Sequence, residues 1–422
     1  MRERILLSTI RNAAHPAIAG LIKSLEKRGD VQFHRYRKQV KKYGIDTMNH
    51  ALIDLAASFK PTIFMFEKGE TIRPQTLAEI RTKLPNCITV QQSPDWYPNR
   101  MSSQSKGVIE RGKYTDMTLF PWGEGDKFGA TLHQFYREAG CKRTHFWYKG
   151  IDPEEIQPLK IKPIADIVFL GAVTSAHPWG SQRLALLNYL AANGLNVHAY
   201  YAGDKRLHKS ITTHPYTGSA YPHPAALGKI NIDWRGRSPY MCTSSDRIFP
   251  AMASQLCYLT SPFSGIETLF ENEKHLLWYN SIEECLDLAE RYIADDKARE
   301  KIAKSARKRV IEVRSADVMT DMLFNYIDRF RQGEIMQSAT GVPFDKCIRV
   351  DGKHVYILQG KRYLKISDYK DLPKWAQGED IIEDVETFDF SGMKEARRLT
   401  RPKKQKTREP ELEKQGYSFQ KR

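Results

Sequence analysis

Short apolar runs alternate with segments of helical periodicity along the first half of the chain, with a repeat of about 25–30 residues. The run Arg4–Thr9 predicts a strand, and the helical spacing that follows it ends near Gly29, a candidate C-cap. Pro61–Glu67 predicts another buried strand with a helix after it. A repeated strand–helix unit favours a mainly parallel sheet with helices on both faces.

The same alternation starts again after a stretch punctuated by prolines, Ile151–Ala165, which predicts a linker. In this second series a helix is expected to end at Gly194, and Ser281 with Glu284 has the spacing of a capping box. Two more helices, about 297–312 and 317–331, complete it. The predicted class is therefore α/β, with two doubly wound Rossmann-like domains facing a cleft.

The last 90 or so residues have a different composition. Residues 334–390 predict a small extension with paired strands, with turns near Asp351-Gly352 and Gly360. Residues 391–422 are polar and basic with few apolar residues, which predicts a disordered tail. A nucleic-acid-binding arm is the functional alternative to a merely solvated tail. The predicted domains are thus 1–155, 156–333, 334–390 and the tail.

The chain carries a formal net charge of +16. Residues 334–422 hold 19 Lys and Arg against 15 Asp and Glu, a net of +4, so the remaining +12 lies in residues 1–333. A basic body favours an anionic partner, such as a phosphorylated substrate or a nucleic acid. Charge that serves only solubility is the alternative.

Several classes of protein are disfavoured by what the sequence lacks. No apolar run approaches the about 20 residues that cross a bilayer, and the first apolar run is too short for a secretory signal, so a cytoplasmic protein without a membrane span is expected. No G-x-G-x-x-G follows a predicted strand, and neither a P-loop nor a G-x-S-x-G elbow occurs. The scattered cysteines, without C-x-x-C, favour free thiols over zinc; they are Cys87, Cys141, Cys242, Cys257, Cys285 and Cys347.

The segment Ser244–Ser254, SSDRIFPAMAS, predicts a loop that becomes a helix at about Phe249. Pro250 is compatible with the first turn of a helix, where its missing N–H has no partner to lose. Helix N-termini favour anions such as phosphates. Because ligands of open α/β sheets bind beyond the carboxyl ends of the strands, this loop is a candidate site.

Several stretches of the second half, in this order, resemble the donor domain of glycosyltransferases that use nucleotide-activated sugars. They are VFLGAV, Arg183, RIFPAMAS, LCYLTS, SGIETLFENEKHLLWYNSIEECLDLA and ADDKAREKIAKSARKRV. In the first half, KPTIFMFEKGETIRPQTLAEIRTKLPNCITVQQSPDW has the same likeness. Residues 1–330 together resemble the CgeB-like (spore maturation protein-like) group of the GT-B fold. This resemblance implies a metal-independent enzyme with no cofactor other than its nucleotide-sugar substrate, a UDP- or GDP-sugar.

The chain departs from that group at the position implied to hold the donor ribose. The group has a glutamate in R-x-F-E, and this chain has Pro250 there. The E-x7-E pattern of retaining glycosyltransferases would fall on Cys242 and Pro250, so both acids are missing. Asp246 and Glu267 are the candidate replacements. Loss of activity is the alternative explanation.

The resemblance and the strand ends together define candidate site residues. Arg247 is the first candidate for a pyrophosphate contact, with a surface pair to Asp246 as the alternative, and Arg183 is the second. The Gly171–Thr174 turn brings backbone close to the ligand. Ser244 and Ser245 are expected to donate to phosphate or to cap the helix. Gly265, Ile266 and Glu267 are expected along the nucleotide or the sugar.

An inverting reaction needs a general base for the acceptor hydroxyl. His15 and Asp95 follow predicted strands and are the candidates; a helix-start histidine and a turn-forming aspartate are the alternatives. Trp96 and Tyr97 are candidates for stacking on the acceptor. A retaining reaction would need no such base.

The sequence leaves two functional classes open. The first is a glycosyltransferase, for which the basic body favours a hydroxylated base in DNA as acceptor; a surface glycan, a lipid-linked sugar or a protein is the alternative acceptor. A base in DNA would have to be flipped out of the duplex. The second class is an inactive protein of the same architecture that binds nucleic acid or glycan.

Overall fold

The computed structural model describes residues 2–93, 102–123, 127–174, 180–203, 206–215, 223–234, 245, 247–263 and 265–332, and, further along, 346–350, 354–359, 362–366, 382–385, 391 and 394–395. None of the helices in these ranges is both long and apolar enough to cross a membrane.

The first half of the chain forms a six-stranded sheet, as the strand–helix repeat predicts. Its strands are β1 (Glu3–Ser8), β2 (Gly29–His34), β3 (Ile63–Glu67), β4 (Ile88–Gln92), β5 (Met117–Phe120) and β6 (Thr144–Phe146). Their order is β2-β1-β3-β4-β5-β6, and β1–β3, β3–β4, β4–β5 and β5–β6 are parallel pairs. Every residue of β3 and β4 is buried, as expected of strands covered on both faces.

Among the described residues of this half, six helices accompany the strands. They are α1 (Pro16–Glu26), α2 (Tyr36–Tyr43), α3 (Ile45–Phe59), α4 (Pro74–Lys83), α5 (Ser103–Gly112) and α6 (Lys127–Glu138). The prediction that Gly29 caps α1 is wrong, because the helix closes earlier. Lys27 is the C-cap, Arg28 N donates to Leu25 O at 2.8 Å, and Gly29 already begins β2.

The second half forms another six-stranded sheet, again as predicted. Its strands are β7 (Ala165–Ala172), β8 (Val197–Ala202), β9 (Thr212–Pro215), β10 (Gly228–Asp233), β11 (Tyr258–Thr260) and β12 (Leu277–Trp278). The order is β12-β11-β10-β7-β8-β9, and all five neighbouring pairs are parallel. The carboxyl ends of these strands therefore lie at one edge of the sheet.

Seven helices follow or separate these strands in the described ranges. They are α7 (Gly180–Ala192), α8 (His223–Ala226), α9 (Ile248–Ala253), α10 (Ile266–Leu269), α11 (Ile282–Ala294), α12 (Asp296–Arg314) and α13 (Ala316–Arg331). Gly194 follows α7 with φ +91°, as its predicted role at the helix end requires. Ser281 Oγ accepts from Glu284 N at 3.1 Å, whereas Glu284 Oε2 accepts from Asn280 N rather than from the cap residue.

The described residues of the C-terminal extension form five short strands. They are β13 (Lys346–Val350), β14 (His354–Gln359), β15 (Arg362–Ile366), β16 (Ile382–Val385) and β17 (Lys394–Glu395), in the order β16-β13-β14-β15-β17. The pairs β13–β14 and β14–β15 are antiparallel, which confirms the predicted paired strands. The predicted turn residues and nearly all of the predicted tail lie outside the described residues.

The chain consists of two compact units, each defined by the contacts within it. The first unit comprises Met1–Arg2, Arg11–Val31 and Tyr148–Thr320; the second comprises Glu3–Ile10, Gln32–Trp147 and Asp321–Arg422. Within the first unit, α1 is tied to the second half of the sequence by its side chains. Ser24 Oγ donates to Asp317 Oδ1 at 2.7 Å, and Lys23 Nζ lies 3.2 Å from Asp152 Oδ2.

Candidate functional site

A buried carboxylate at the carboxyl end of β10 joins two arginines in the first unit. Asp233 is the last residue of β10 and is fully buried. Arg247 Nη2 lies 3.2 Å from each Asp233 carboxylate oxygen, and Arg183 Nη2 lies 3.5 Å from Oδ1. We call these three residues the Asp233 cluster. It lies at the edge of the sheet where α/β proteins bind ligands.

Arg183 is held mainly by protein atoms. Its side chain is 4% exposed, Nε donates to Trp234 O at 2.9 Å, and Nη1 donates to Ala172 O at 3.0 Å. The carbonyl of Ala172, at the end of β7, and that of Trp234, just after β10, thus fix the guanidinium between two strand ends. Its predicted phosphate contact stays a prediction, since these bonds give Arg183 a structural role of its own.

Close backbone packing sets the start of the helix that carries Arg183. A Cβ atom on Gly180, the first residue of α7, would lie 1.9 Å from Thr174 O, so this position accepts only glycine. Gly171 lies within β7, where an added Cβ would come 3.1 Å from the Phe169 ring. The turn predicted at Gly171–Thr174 is thus the last part of β7 and the residues directly after it.

Arg247 is the N-cap residue of α9, which begins at Ile248, within one residue of the predicted start. Pro250 lies in the first turn, as predicted, and Ser254 N donates to its carbonyl oxygen at 2.9 Å. Ser245 Oγ accepts from Arg247 N at 3.4 Å, so Ser245 bonds the backbone just before the helix. Ser244, Asp246 and Cys242 lie outside the described residues.

The Asp233 cluster combines one negative charge with two positive charges. Arg247 is its most accessible member, with a side chain that is 19% exposed, whereas the Asp233 side chain is 0% exposed. A charge removed from water needs compensation, and the charges of these three side chains alone sum to +1. The cluster is therefore suited to an anion that approaches from the Arg247 side.

Tyr279, the residue directly after β12, holds the backbone of the cluster in place. Its hydroxyl donates to the Asp233 backbone carbonyl at 3.0 Å, and burial raises the pKa of this phenol well above its usual value. The phenol therefore stays protonated and keeps its donor role at any ordinary pH. This bond fixes the backbone of Asp233, and with it the direction of the carboxylate.

Gly265, Ile266 and Glu267 lie at the start of the short helix α10. Gly265 is its N-cap residue with φ +80°, a left-handed conformation that favours glycine, and Ile266 is buried. Glu267 is exposed and lines a surface cavity of about 440 Å³ beside α12. The residues of this cavity do not include the Asp233 cluster; they are Glu267, Thr268, Leu269, Phe270, Glu271, Lys274, His275, Ser305, Lys308, Arg309 and Glu312.

His15 occupies the N-cap position of α1. Its Nδ1 accepts from Ala17 N at 3.3 Å, and its Nε2 lies 2.7 Å from Arg11 Nη1. A neutral imidazole has one lone pair, and here an N–H donor faces each ring nitrogen. The helix-start alternative therefore describes its position, while its role as a base stays a prediction that requires Arg11 to move.

Buried polar side chains also occur at the carboxyl edge of the sheet in the second unit. Ser8 Oγ lies 2.9 Å from His34 Nδ1, which joins the ends of β1 and β2. Gln92, the last residue of β4, is 1% exposed, and among the described residues neither atom of its side-chain amide has a hydrogen-bond partner. The candidates Asp95, Trp96 and Tyr97, just after it, lie outside the described residues. A buried amide without a partner among the described residues makes this edge a candidate place for a polar ligand.

Asp233 and Gln92 are the two polar residues that sequence reasoning missed. Each ends a buried strand, and the position of a polar residue after an apolar run is the signal that could have found them. Within the described ranges, no group of three or more His, Cys, Asp and Glu side chains could hold a metal ion.

Comparison with known proteins agrees with this architecture. Residues 185–323 match a family model described as glycosyl transferase-like, whereas no curated protein matches the chain by sequence. HepE of Anabaena, solved in complex with UDP and glucose, is 12% identical over 78% of this chain and all of its own, with a TM-score of 0.52. An α-glucosyltransferase in complex with UDP and a 13-mer DNA containing an HMU base is 11% identical over 78% of this chain and all of its own, with a TM-score of 0.55.

A glycosyltransferase from Rickettsia africae is similar to the same extent, with 12% identity over 79% of this chain and 100% of its own and a TM-score of 0.52. Identities this low establish a shared architecture. The chain therefore has the α/β fold of GT-B glycosyltransferases, built on two parallel six-stranded sheets.

Proposed function

We propose that the chain is a glycosyltransferase that moves a sugar from a nucleotide-sugar, a UDP- or GDP-sugar, to an acceptor hydroxyl. The observation that carries this proposal is the Asp233 cluster, which places a partly exposed, pre-oriented Arg247 beyond a strand end. Two of its three residues lie within the segment that matches the glycosyl transferase-like family model. Similar structures were solved with UDP or UDP-glucose bound, which supports a donor site of this kind.

The reaction breaks the bond between the sugar's anomeric carbon and the phosphate oxygen and forms a bond from that carbon to the acceptor oxygen. Negative charge grows on the leaving diphosphate as the first bond breaks. In this proposal Arg247 stabilises that charge without a metal ion, and Asp233 keeps the guanidinium in place before the donor arrives. The fixed position avoids a reorganisation penalty at the moment of reaction.

The acceptor proton needs a destination if the reaction inverts configuration. Asp95 is the candidate that we favour, because both ring nitrogens of His15 already face N–H donors. With Pro250 at the position of the missing glutamate, a different acid must bind the ribose hydroxyls. Asp246 and Glu267 are the proposed replacements, and the exposed carboxylate of Glu267 is accessible for this role.

For the acceptor we propose a hydroxylated base in DNA, and for the family the CgeB-like group that the sequence resembles. The net charge of +16 supports this choice, as does the similar α-glucosyltransferase that was solved with DNA containing an HMU base. The base must leave the stack to react, and Trp96 and Tyr97 would then stack on it. The unpartnered amide of Gln92 would offer its donor and acceptor to the edge of the base.

An inactive GT-B protein that binds nucleic acid or glycan is the second candidate, and the observation behind it is Pro250. A thermal-shift screen with UDP-, GDP-, ADP- and CMP-sugars separates the two. A donor present at 100 times its Kd stabilises the folded state by about 2.7 kcal/mol. We expect one nucleotide series to raise Tm; a Tm unchanged by all of them would favour the inactive binder.

A further inference from the structure

Helix α2 of the second unit carries four basic residues and no acidic one. Arg37, Lys38, Lys41 and Lys42 are all exposed within a helix of eight residues. This helix was not predicted from the sequence, although Tyr36, Val40 and Tyr43 recur in it at helical spacing among polar residues. Four positive charges within about two helical turns repel one another, so this helix is a candidate binding surface for an anion.

The four cations share one face of α2. Arg37 and Lys41 are four residues apart, as are Lys38 and Lys42, so they form two rows, each with a rise of about 6 Å. The opposite face is packed on the protein, where Tyr36 is fully buried and Val40 contacts the core. The basic face is therefore the face that α2 leaves to solvent.

Few carboxylates neutralise the positive charge of this face in the described part of the chain. Glu70, in the loop after β3, is 3.8 Å from Arg37, but its Oε2 also accepts the hydroxyl of Tyr36. Asp46, at the start of the neighbouring helix α3, pairs with Arg73 instead. For Lys38, Lys41 and Lys42, no ion pair is found in the described part of the chain.

Repulsion among these four cations destabilises α2 as a helix. Like charges four residues apart each destabilise a helix by about 0.2–0.5 kcal/mol, and α2 contains two such pairs. Arg37 and Lys38 in the first turn also oppose the helix dipole, which favours acidic residues there, whereas Lys41 and Lys42 in the last turn are favoured by it. An external polyanion would relieve both effects.

An exposed aromatic ring lies at the end of the same helix. Tyr43 is 50% exposed, and Lys42 Nζ lies 4.6 Å from the centroid of its ring. Ile45, two residues on, is 42% exposed, so two of the four large apolar side chains found exposed in the described ranges lie at the C-terminal end of α2 and the start of α3. Cations next to an exposed ring are the combination that binds nucleic-acid strands through phosphate and base.

The position of α2 connects it with the ligand-binding edge of the second unit. Thr9 N donates to His34 O at 2.9 Å, so the carboxyl ends of β1 and β2 lie side by side, and α2 starts two residues after β2. Gly69 N donates to the Tyr36 hydroxyl at 3.1 Å, which fixes α2 to the loop beyond β3. The basic face is thus anchored at the edge of the sheet at which β4 ends with Gln92.

From these observations we propose that Arg37, Lys38, Lys41 and Lys42 of α2, with Tyr43, bind the phosphate backbone of the nucleic acid that carries the acceptor base. This inference rests on the proposed function for its acceptor, but the surface is defined independently of the donor site. A bilayer fits less well, because an interfacial helix needs a free apolar face and that of α2 is buried in the protein.

The test compares two variants that remove the same charge. In the first, Arg37, Lys38, Lys41 and Lys42 are all changed to Gln, a good helix former. In the second variant, the α12 control, the exposed lysines Lys297, Lys301 and Lys304 of α12 and the exposed Lys160 before β7 are changed to Gln. Binding of a fluorescent DNA duplex to the full chain is measured by anisotropy between low and physiological salt, and urea unfolding checks that each variant folds.

We expect the α2 variant to lose at least tenfold in DNA affinity and to reduce the slope of log K against log salt by about 3–4, close to one per phosphate contact removed. The α12 control should keep most of its affinity. Tyr43→Ala should weaken binding of a single strand more than Tyr43→Phe does. Equal losses in the two quadruple variants, or none in either, would overturn the proposal, as would α2-dependent binding to anionic vesicles but not to DNA.

UDP- and GDP-sugar affinity, measured in the same proteins, separates this proposal from the proposed function. If the chain binds a nucleotide-sugar and the α2 variant leaves DNA affinity unchanged, the DNA-binding role of α2 is contradicted. The proposed glycosyltransferase function would then still stand. DNA binding through α2 without binding of any nucleotide-sugar would contradict the glycosyltransferase and support the surface.

Discussion

Replacing Arg247 with Gln tests the donor site at the residue on which it depends. The substitution removes the guanidinium that lies 3.2 Å from both oxygens of Asp233, while Arg183 still compensates the carboxylate at 3.5 Å. Hydrogen bonds to charged groups contribute about 1.5–3 kcal/mol. If Arg247 binds the diphosphate, losing that contact corresponds to a Kd for the nucleotide that is about 10- to 150-fold higher, at 1.4 kcal/mol per factor of ten.

Calorimetric titration with the nucleotide selected by thermal shift measures this change directly. Arg291→Gln, on α11 of the same unit, is the matched control, because Arg291 is a surface residue paired only with Glu273 among the described carboxylates. Its Kd should stay within about twofold of the original, since exposed pairs contribute little. An Arg247→Gln protein that folds normally and binds the nucleotide as tightly as the unmodified chain would refute the role of the Asp233 cluster.

Three further predictions concern other residues of the two units. Gln92→Leu removes an unpartnered buried amide, so the free energy of unfolding should rise by about 1–3 kcal/mol in urea titrations while transfer to the acceptor falls. His15→Asn keeps a capping side chain and should retain activity, whereas His15→Ala should lose about 1 kcal/mol of stability; a 100-fold or greater fall in kcat for both would instead identify a base. Burial lowers the pKa of His34 from 6.5 to about 4, so the unfolded chain binds more protons in that window. Stability should therefore fall as the pH drops from 6.5 towards 4, and His34→Gln should flatten that dependence.

Periodic patterns made the fold predictable. The long strands and helices carry apolar residues at regular spacing, and β7, α7 and α11 were found where the sequence placed them. Two of the strands that were missed lack that signal: β6 has three residues and β9 is mostly exposed, so neither period nor composition distinguishes them from loops. Helix α2 was missed because its three apolar residues, although at helical spacing, stand among five polar ones.

The candidate site was predictable only in part. The sequence indicated Arg247 and the helix start behind it, but its partner Asp233 lies 14 residues away at the end of a different element. Only the order of strands brings the ends of β7 and β10 together, and with them Arg183 and Asp233. For Arg183, the sequence motif indicated the position but not the hydrogen bonds that the guanidinium donates to two backbone carbonyls.

Transfer of the sugar itself is the most direct test of the account. The full chain is incubated with UDP- and GDP-sugars and a duplex that contains a hydroxymethylated pyrimidine, and the DNA is analysed by mass spectrometry beside an unmodified duplex. We predict that one donor adds a single sugar per hydroxymethylated base, and that Arg247→Gln slows this transfer. A duplex of unchanged mass with every donor, from a chain whose Tm no nucleotide raises, would contradict the assignment of a glycosyltransferase.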